Sequence, residues 1–221
     1  MPHTAELNWV AGASGLVGRA LLAELAGQPV LALLRRPASG LPATAGLQTA
    51  RVDYTQPGSF AALPAPTRVF IALGTTMAQA GSRAAFRAAD LDAVVTVARA
   101  AREAGATHCG LVSALGASTR SAVFYNQVKG EAEDALVALG FERLVIARPS
   151  LLDGERATLD QPRRSAEAWT LKLARPLAGL IPAAWRPISP RRIARAMRLA
   201  LDAPGPAVRV IESGEMQQLG A

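Results

Sequence analysis

The chain has 221 residues, half of them apolar, and its 24 basic residues outnumber 17 acidic ones to give a formal net charge of +7. This length fits one large α/β domain, and the apolar share is sufficient for a full hydrophobic core. No apolar run reaches the roughly 18–20 residues that span a membrane, and the first residues lack the basic and apolar segments of a secretory signal. We therefore expect a cytoplasmic protein without a membrane span.

The cysteine and the basic residues exclude further classes of function. Cys109, the single cysteine, cannot form an internal disulfide, and two histidines offer no cluster of metal ligands, so we expect no metal. The basic residues are nearly all arginines in short, scattered clusters without interleaved aromatic residues. This pattern does not predict specific binding of nucleic acid.

The first predicted strand and helix meet in a glycine turn. An apolar run ends at Ala11, the glycines Gly12, Gly15 and Gly18 follow, and a helical apolar pattern begins at Leu16. In this context the first glycine permits a tight turn, the second lets a pyrophosphate approach the backbone, and the third lets the helix pack closely on the strand. The N–H groups at the helix N-terminus would then bind the phosphates, so the turn predicts dinucleotide binding.

The second predicted strand, residues 29–34, ends in Arg35 and Arg36. An acidic residue near this position binds the ribose 2′-hydroxyl of NAD, whereas a guanidinium can bind a 2′-phosphate. We therefore predict that NADP(H) is preferred over NAD(H); the alternative is a solvated strand end that is rich in arginine by composition. Asp53, after a third predicted strand, could either bind the adenine amino group or cap the following turn.

The remaining pattern alternates strands and helices. We predict further strands over residues 68–73, 107–112 and 144–147, with helices around residues 86–101 and 128–139. Such alternation predicts an α/β fold, a Rossmann-type doubly wound parallel sheet with right-handed crossovers.

Beyond residue 150 the pattern changes. A charged stretch over 153–164 precedes a helical pattern over 165–175, a second helix that Ser189 and Pro190 open, and a last strand over 207–211. We predict a single domain, with its core over residues 5–150 and a small helical lid over residues 151–221 at the carboxyl edge of the sheet.

Tyr125 and Lys129 stand one turn apart on one face of a predicted helix. A neighbouring ammonium favours the phenolate, so this tyrosine could exchange a proton with a carbonyl oxygen as hydride is transferred. The lysine could also hold the nicotinamide ribose. Ser113, at the end of the preceding predicted strand, could polarise the substrate oxygen, with Ser118 and Ser121 as alternatives.

Together these motifs resemble the short-chain dehydrogenase/reductase superfamily, and more closely its atypical branch that includes the Tat-interacting-protein-like oxidoreductases. The segments that carry the resemblance are GASGLVG (12–18), ALGTT (72–76), LVSALGA (111–117), YNQVKGEAE (125–133) and ARPSLLDGER (147–156). The resemblance implies that Ser113, Tyr125 and Lys129 are catalytic. It also implies cofactor contacts, with Gly12, Ser14, Gly15, Leu16, Val17 and Gly18 at the pyrophosphate, Arg35 and Arg36 at the 2′-phosphate, and Leu73, Gly74, Thr75 and Pro149 near the nicotinamide.

The sequence leaves two functions open. The first is an NADP(H)-dependent oxidoreductase that reduces a small-molecule carbonyl, quinone or similar electrophile. The second is an NADP(H)-binding regulatory protein that binds a protein partner without significant turnover, because members of this and neighbouring atypical branches serve such roles. The assembly could be a monomer or a homodimer.

Overall fold

The computed structural model describes residues 6–153 and 185–221. Within these ranges seven strands form one parallel sheet in the order β3-β2-β1-β4-β5-β6-β7. The strands are β1 (Asn8–Ala11), β2 (Val30–Leu34), β3 (Leu47–Arg51), β4 (Arg68–Ile71), β5 (His108–Val112), β6 (Arg143–Arg148) and β7 (Val208–Glu212).

Helices connect the strands. They are α1 (Leu16–Glu24), α2 (Met77–Ala80), α3 (Arg83–Arg87), α4 (Ala93–Glu103), α5 (Phe124–Ala138), α6 (Pro190–Asp202) and α7 (Ser213–Leu219), with a short 3₁₀ helix over Pro57–Phe60. A π-helical turn, Ala88–Asp92, joins α3 to α4 where the sequence predicts one continuous helix. Among the described helices, none is long and apolar enough to cross a membrane.

The two faces of the sheet support two apolar cores. Because successive side chains of a strand point to opposite faces, Trp9 packs with α4 and α5 on one face, while Val10 packs with α1 and α6 on the other. All residues of β1 and β2 are buried, as expected for parallel strands covered on both faces. This arrangement confirms the predicted doubly wound α/β fold.

Part of the region predicted as a lid belongs to the sheet instead. Helix α6 packs against α1, β5 and β6, and β7 pairs with β6 in parallel. Ser189 caps α6 as predicted, since its hydroxyl accepts a hydrogen bond of 3.3 Å from the N–H of Arg192. The helix has a strongly apolar face, and the face of the sheet beside α1 buries that surface. The core therefore extends past residue 150; the predicted helix over 165–175 lies outside the described residues.

The strand order sets the place of a binding site. From β1 the chain runs outward to β2 and β3, then returns to place β4 on the other side of β1. Loops leaving the carboxyl ends of β1 and β4 therefore diverge and leave a crevice between them. In open α/β sheets, ligands bind at such a point.

Candidate functional site

A cavity of about 730 Å³ opens at the carboxyl ends of β1, β4, β5 and β6. Among the residues predicted as functional, those that line it are Gly15, Leu16, Val17, Leu73, Gly74, Thr75, Ser113, Tyr125, Lys129 and Pro149. The others do not line it: Gly12, Ser14, Gly18, Arg35, Arg36, Asp53 and the two alternative serines, Ser118 and Ser121. The cavity thus unites the glycine turn with the Tyr-Lys pair.

The three glycines of the turn differ in what the fold requires of them. Gly12 has a φ of +81°, and a Cβ there would overlap the backbone of Ala72. A Cβ on Gly18 would overlap the carbonyl of Gly12, because α1 packs closely on this turn. At Gly15 the nearest atom to an added Cβ is the Gly12 oxygen at 3.3 Å, so the protein itself leaves more room there.

Gly15 is the N-cap of α1 and supplies no side-chain hydrogen bond to it. The first turn of a helix has N–H groups without helical acceptors, and these groups carry partial positive charge. Here that turn, with Leu16 and Val17, forms part of the cavity wall. A glycine turn that ends at N–H groups without helical acceptors fits the pyrophosphate of a dinucleotide.

Tyr54 supports the glycine turn from the side. Its hydroxyl donates a hydrogen bond of 2.6 Å to the carbonyl of Leu33 and accepts one of 3.4 Å from the N–H of Gly12. Burial raises the pKa of Tyr54 to about 12, so the phenol is neutral at physiological pH. The hydroxyl therefore joins β2 to the turn that follows β1.

Arg35 and Arg36 are both exposed immediately after β2. The charge of Arg35 acts on neighbouring Asp53, although hydrogen bonds from Thr55 are the main reason that the pKa of Asp53 lies below its ordinary value. The Asp53 carboxylate accepts from the N–H of Thr55 at 2.9 Å and from its hydroxyl at 2.7 Å. Of the two roles predicted for Asp53, the structure thus contains the turn cap.

Arg19, which the sequence did not single out, holds the loop after β2 against the glycine turn. Its guanidinium donates to the carbonyls of Ser14 at 3.1 Å and Ser39 at 2.9 Å, and also to that of Gly40. All three acceptors are neutral, so the positive charge of Arg19 adds to that of Arg35 and Arg36 on this side of the molecule.

Tyr125 and Lys129 lie in the first turns of α5, and both side chains reach the cavity. The Tyr125 ring packs on the buried ring of Phe86, with 5.4 Å between ring centroids. The Lys129 ammonium contacts the carboxylate of buried Asp90, with 2.7 Å between Nζ and Oδ1. Burial alone would lower the pKa of Lys129, but the charge of Asp90, with smaller contributions from Tyr125 and Glu133, outweighs burial and holds that pKa above its ordinary value.

Ser113 lies at the end of β5, where the sequence placed it, but its hydroxyl donates to the carboxylate of Glu133. Glu133 is buried and also accepts from Arg148, at 3.0 Å from Nε and 2.5 Å from Nη2. A serine hydroxyl has one hydrogen to donate. In this arrangement the Ser113 oxygen can therefore accept a hydrogen bond from a neighbour, whereas polarising a carbonyl would require its bond to Glu133 to break.

Three buried side chains around the cavity were missed from the sequence: Tyr54, Asp90 and Glu133. The helical pattern offered one signal, because Glu133 follows Lys129 by one turn on the same face of α5. Asp90 gave no comparable signal, since its position depends on the π-helical turn.

A comparison with protein families matches residues 12–170 to the family described as NAD(P)H-binding. The chain belongs to this NAD(P)H-binding family. The NAD(P)-binding Rossmann-fold domain that the motif resemblance predicted is confirmed.

Among curated proteins the chain is similar to fungal proteins named "Protein FMP52, mitochondrial". It is 41% identical to that of Eremothecium gossypii over 154 residues, which cover 67% of each chain. It is 36% identical to that of Aspergillus fumigatus over 181 residues, covering 77% of this chain and 74% of the relative. The names contradict the cytoplasmic location predicted from the sequence. A single buried thiol and a start unlike a secretory signal do not distinguish the cytoplasm from an organelle.

Solved structures share the fold. MoeE5 in complex with UDP-glucuronic acid and NAD aligns with a TM-score of 0.71 at 19% identity, covering 92% of this chain and 75% of that one. WbmG of Bordetella bronchiseptica in complex with NAD aligns with a TM-score of 0.70 at 19% identity, covering 100% and 78%. At such identities the likeness establishes the architecture alone, and function depends on the site.

Proposed function

We propose that this protein is an NADP(H)-dependent oxidoreductase that reduces a carbonyl, quinone or similar electrophile. The observation that carries the proposal is the cavity that Tyr125 and Lys129 share with the first turn of α1. A proton donor, a buried cation and an anion-binding helix terminus around one space are what reduction by a dinucleotide requires.

The cofactor would lie across the carboxyl edge of the sheet. The turn formed by Gly12, Ser14, Gly15, Leu16, Val17 and Gly18 would hold the pyrophosphate, Arg35 and Arg36 the 2′-phosphate, and Leu73, Gly74, Thr75 and Pro149 the nicotinamide side. Asp53 can accept from the adenine amino group, because a carboxylate has more lone pairs than Thr55 occupies. When bound, NADPH supplies the hydride to the carbonyl carbon.

Tyr125 donates the proton that completes the alcohol at the substrate oxygen. Lys129 favours the resulting phenolate and holds the ribose hydroxyls nearby. Ser113 acts as an acceptor, since its own hydrogen is directed to Glu133. This assignment changes its predicted role from polarising the carbonyl to accepting a hydrogen bond from the product hydroxyl.

The rest of the cavity wall is largely apolar and supports an apolar substrate. Three large apolar side chains line the cavity and are exposed: Met77, Leu151 and Trp185. Few other large apolar residues in the described part of the chain are exposed. The charged residues among the described lining residues are Lys129 and Asp90, which pair with each other. This wall suits a carbonyl or quinone on an uncharged body.

The first test is a titration with NADPH, monitored by the fluorescence of the three tryptophans. The second test measures turnover with a panel of aldehydes, ketones and quinones. Replacing Tyr125 by phenylalanine removes only the proton donor, so Tyr125→Phe should lower kcat by about 10²–10⁴-fold and leave the Kd of NADPH nearly unchanged. Thr96→Val is the control, because it removes a hydroxyl that does not line the cavity. Turnover of Tyr125→Phe at the wild-type rate would contradict the proposal.

The second candidate is an NADP(H)-binding regulatory protein without significant turnover. The observation that favours it is the hydroxyl of Ser113, which is directed to Glu133 and away from a substrate carbonyl. Its signature would be tight NADPH binding, no turnover across the panel, and capture of a protein partner only when NADPH is present.

A further inference from the structure

The two tryptophans that the structure describes have opposite surroundings. Trp9 is fully buried in β1, and its indole N–H donates a hydrogen bond of 3.0 Å to the carbonyl of Pro64. Trp185 lines the cavity, and 65% of its surface is exposed. Tryptophan is highly buried on average, because its ring carries a large apolar area. The ring of Trp185 therefore offers the cavity apolar surface that a ligand can cover.

Trp185 is one of three exposed apolar side chains that line the same cavity. Single apolar residues scattered over a surface are ordinary, but apolar and aromatic side chains grouped around one pocket are typical of a binding site. Met77 comes from the segment after β4 and Leu151 from the segment after β6. Separate parts of the chain thus place apolar side chains at one opening.

Hydrogen bonds fix the backbone that follows Trp185. The Ser150 hydroxyl donates a hydrogen bond of 2.5 Å to the carbonyl of Arg186. The side-chain amide of Gln217, on α7, donates one of 3.1 Å to the carbonyl of Pro187. The chain next to the tryptophan is therefore attached both to the end of β6 and to α7.

Ile188, three residues after Trp185, anchors the same segment to the core. Its side chain is fully buried beside α1 and α6. Its N–H donates to the carbonyl of Leu151 at 2.9 Å, and its own carbonyl accepts from the N–H of Asp153 at 2.8 Å. A ring carried next to a fixed backbone loses less freedom when it covers a ligand, so this part of the site is preorganised.

The polar groups of the cavity wall do not suit a charged or polyhydroxylated substrate. In the part of the chain that the structure describes, the charged lining residues are Lys129 and Asp90, whose charges offset each other. The hydrogen of the Ser150 hydroxyl is donated to a backbone carbonyl, and the Thr76 hydroxyl accepts from a backbone N–H of α2 at 3.1 Å. Phosphates would need unpaired cations, and many hydroxyls would need free donors and acceptors.

We propose that Trp185 is a substrate-binding residue whose indole stacks on the ring of an aromatic aldehyde or ketone. The inference rests on the proposed function and specifies its substrate as a carbonyl group attached to a planar, uncharged ring. Stacked aromatic pairs are more favourable than their buried area alone accounts for. The redox step is unchanged: the carbonyl carbon gains the hydride of NADPH, the oxygen gains the Tyr125 proton, and the products are the alcohol and NADP⁺.

Two aldehydes with the same carbon skeleton separate ring shape from hydrophobicity, since benzaldehyde is planar and cyclohexanecarbaldehyde is puckered. Trp185→Leu keeps an apolar side chain but removes the aromatic face. In this variant the ratio of kcat/KM for benzaldehyde to kcat/KM for cyclohexanecarbaldehyde should fall about 3- to 10-fold. In Trp185→Phe, which keeps a ring, the ratio should stay within about twofold of wild type. The active fraction of each preparation cancels in this ratio.

Val137→Ala is the matched control, because it shortens an exposed apolar side chain of α5 that does not line the cavity. It should leave the ratio at its wild-type value. An unchanged ratio in Trp185→Leu, or an equal fall in Trp185→Phe or Val137→Ala, would overturn the inference. Turnover of cyclohexanecarbaldehyde alone by wild type would overturn it as well.

Fluorescence measures the same stacking without turnover. With NADP⁺ as cofactor the ketone 2-acetonaphthone cannot be reduced, so its binding can be titrated at equilibrium. It should quench wild-type fluorescence saturably, and Trp185→Phe, which retains Trp9 and Trp169, should lose most of that quenching. Equal quenching in both proteins, or none in wild type, would overturn the inference. Turnover of neither aldehyde by wild type would instead overturn the proposed function, and the titration would still decide whether an aromatic carbonyl binds at Trp185.

Discussion

The two ends of the cavity are formed by different kinds of groups, backbone at one end and buried charged side chains at the other. At the α1 end the wall is backbone: a turn shaped by Gly12 and Gly18 and a helix terminus that no side chain caps. At the α5 end it is buried side-chain charge, with Lys129 held by Asp90. Behind that end lies a second buried carboxylate, Glu133, held by Arg148.

This difference determines how each end responds to change. The backbone end needs glycines because side-chain atoms at these positions would overlap the backbone. Substitutions that add such atoms should therefore weaken folding or cofactor binding at any pH. At the charged end, opposite charges offset the cost of burial. Removing one charge of a pair should therefore shift the pKa of the remaining group, and its effect should vary with pH. The following predictions test that contrast, beginning with the largest expected effect.

Adding a methyl group at the glycine turn should separate folding from binding. Gly12→Ala combines a positive φ with overlap on the Ala72 backbone, so it should lower the free energy of unfolding by more than about 3 kcal/mol. Gly15→Ala meets only the Gly12 oxygen at 3.3 Å. It should cost about 1 kcal/mol of stability and weaken NADPH binding at least about tenfold.

Gly27→Ala is the matched control for these variants. Gly27 has a φ of +86° with no atom within 4 Å of an added Cβ, so its substitution should show the cost of backbone strain alone, about 1 kcal/mol. Urea unfolding and NADPH titration measure both effects. If Gly12→Ala were no less stable than Gly27→Ala, the close contact with Ala72 would not be what requires glycine there.

The same contrast explains what the sequence could and could not predict. The backbone end is encoded locally: the glycine spacing and the apolar runs beside it follow one another within residues 7–25. The charged end is encoded by residues far apart in the chain. From the sequence alone, Asp90 resembles an ordinary acidic residue on the surface of a helix. Its burial becomes apparent only from the π-helical turn and the contact with Lys129.

The C-terminal region illustrates a second limit. Its sequence predicted the helix that Ser189 opens, and the strand after it, from local capping and apolar periodicity. It did not predict which surface they would cover, because an apolar face can pack on a sheet or close over its edge. The choice depends on the space beside α1 and on the open edge of β6, which are properties of the assembled sheet.

The arginines after β2 are the exception at the backbone end, because there side-chain charge is proposed to select the cofactor. Arg35→Ala and Arg36→Ala should each weaken NADPH binding by about 10–100-fold, the loss of one or two charge-assisted hydrogen bonds, and leave NADH binding nearly unchanged. Arg99→Ala, which removes an exposed arginine from α4, controls for net charge. Equal losses for NADPH and NADH, or equal affinities in wild type, would show that these arginines do not recognise the 2′-phosphate.

Tyr54 gives the smallest expected effect. It is a buried side chain that supports the glycine turn, at the end of the cavity that is otherwise formed by backbone. Tyr54→Phe removes the bond to Leu33 and should cost about 1 kcal/mol of unfolding free energy near neutral pH. Since the pKa of Tyr54 is raised from 10.0 to about 12 in the folded protein, the unfolded chain loses its proton first as pH rises. Wild-type stability should therefore decline between those values, and the phenylalanine variant should lack this part of the decline.

Urea unfolding of both proteins at about pH 8 and about pH 11 should show the difference shrinking by roughly 1 kcal/mol at the higher pH. A difference that stayed constant would mean that the Tyr54 phenol ionises as readily in the folded protein as in the unfolded chain. The link from β2 to Gly12 would then not depend on a buried, neutral hydroxyl, and the turn would owe its shape to backbone contacts alone.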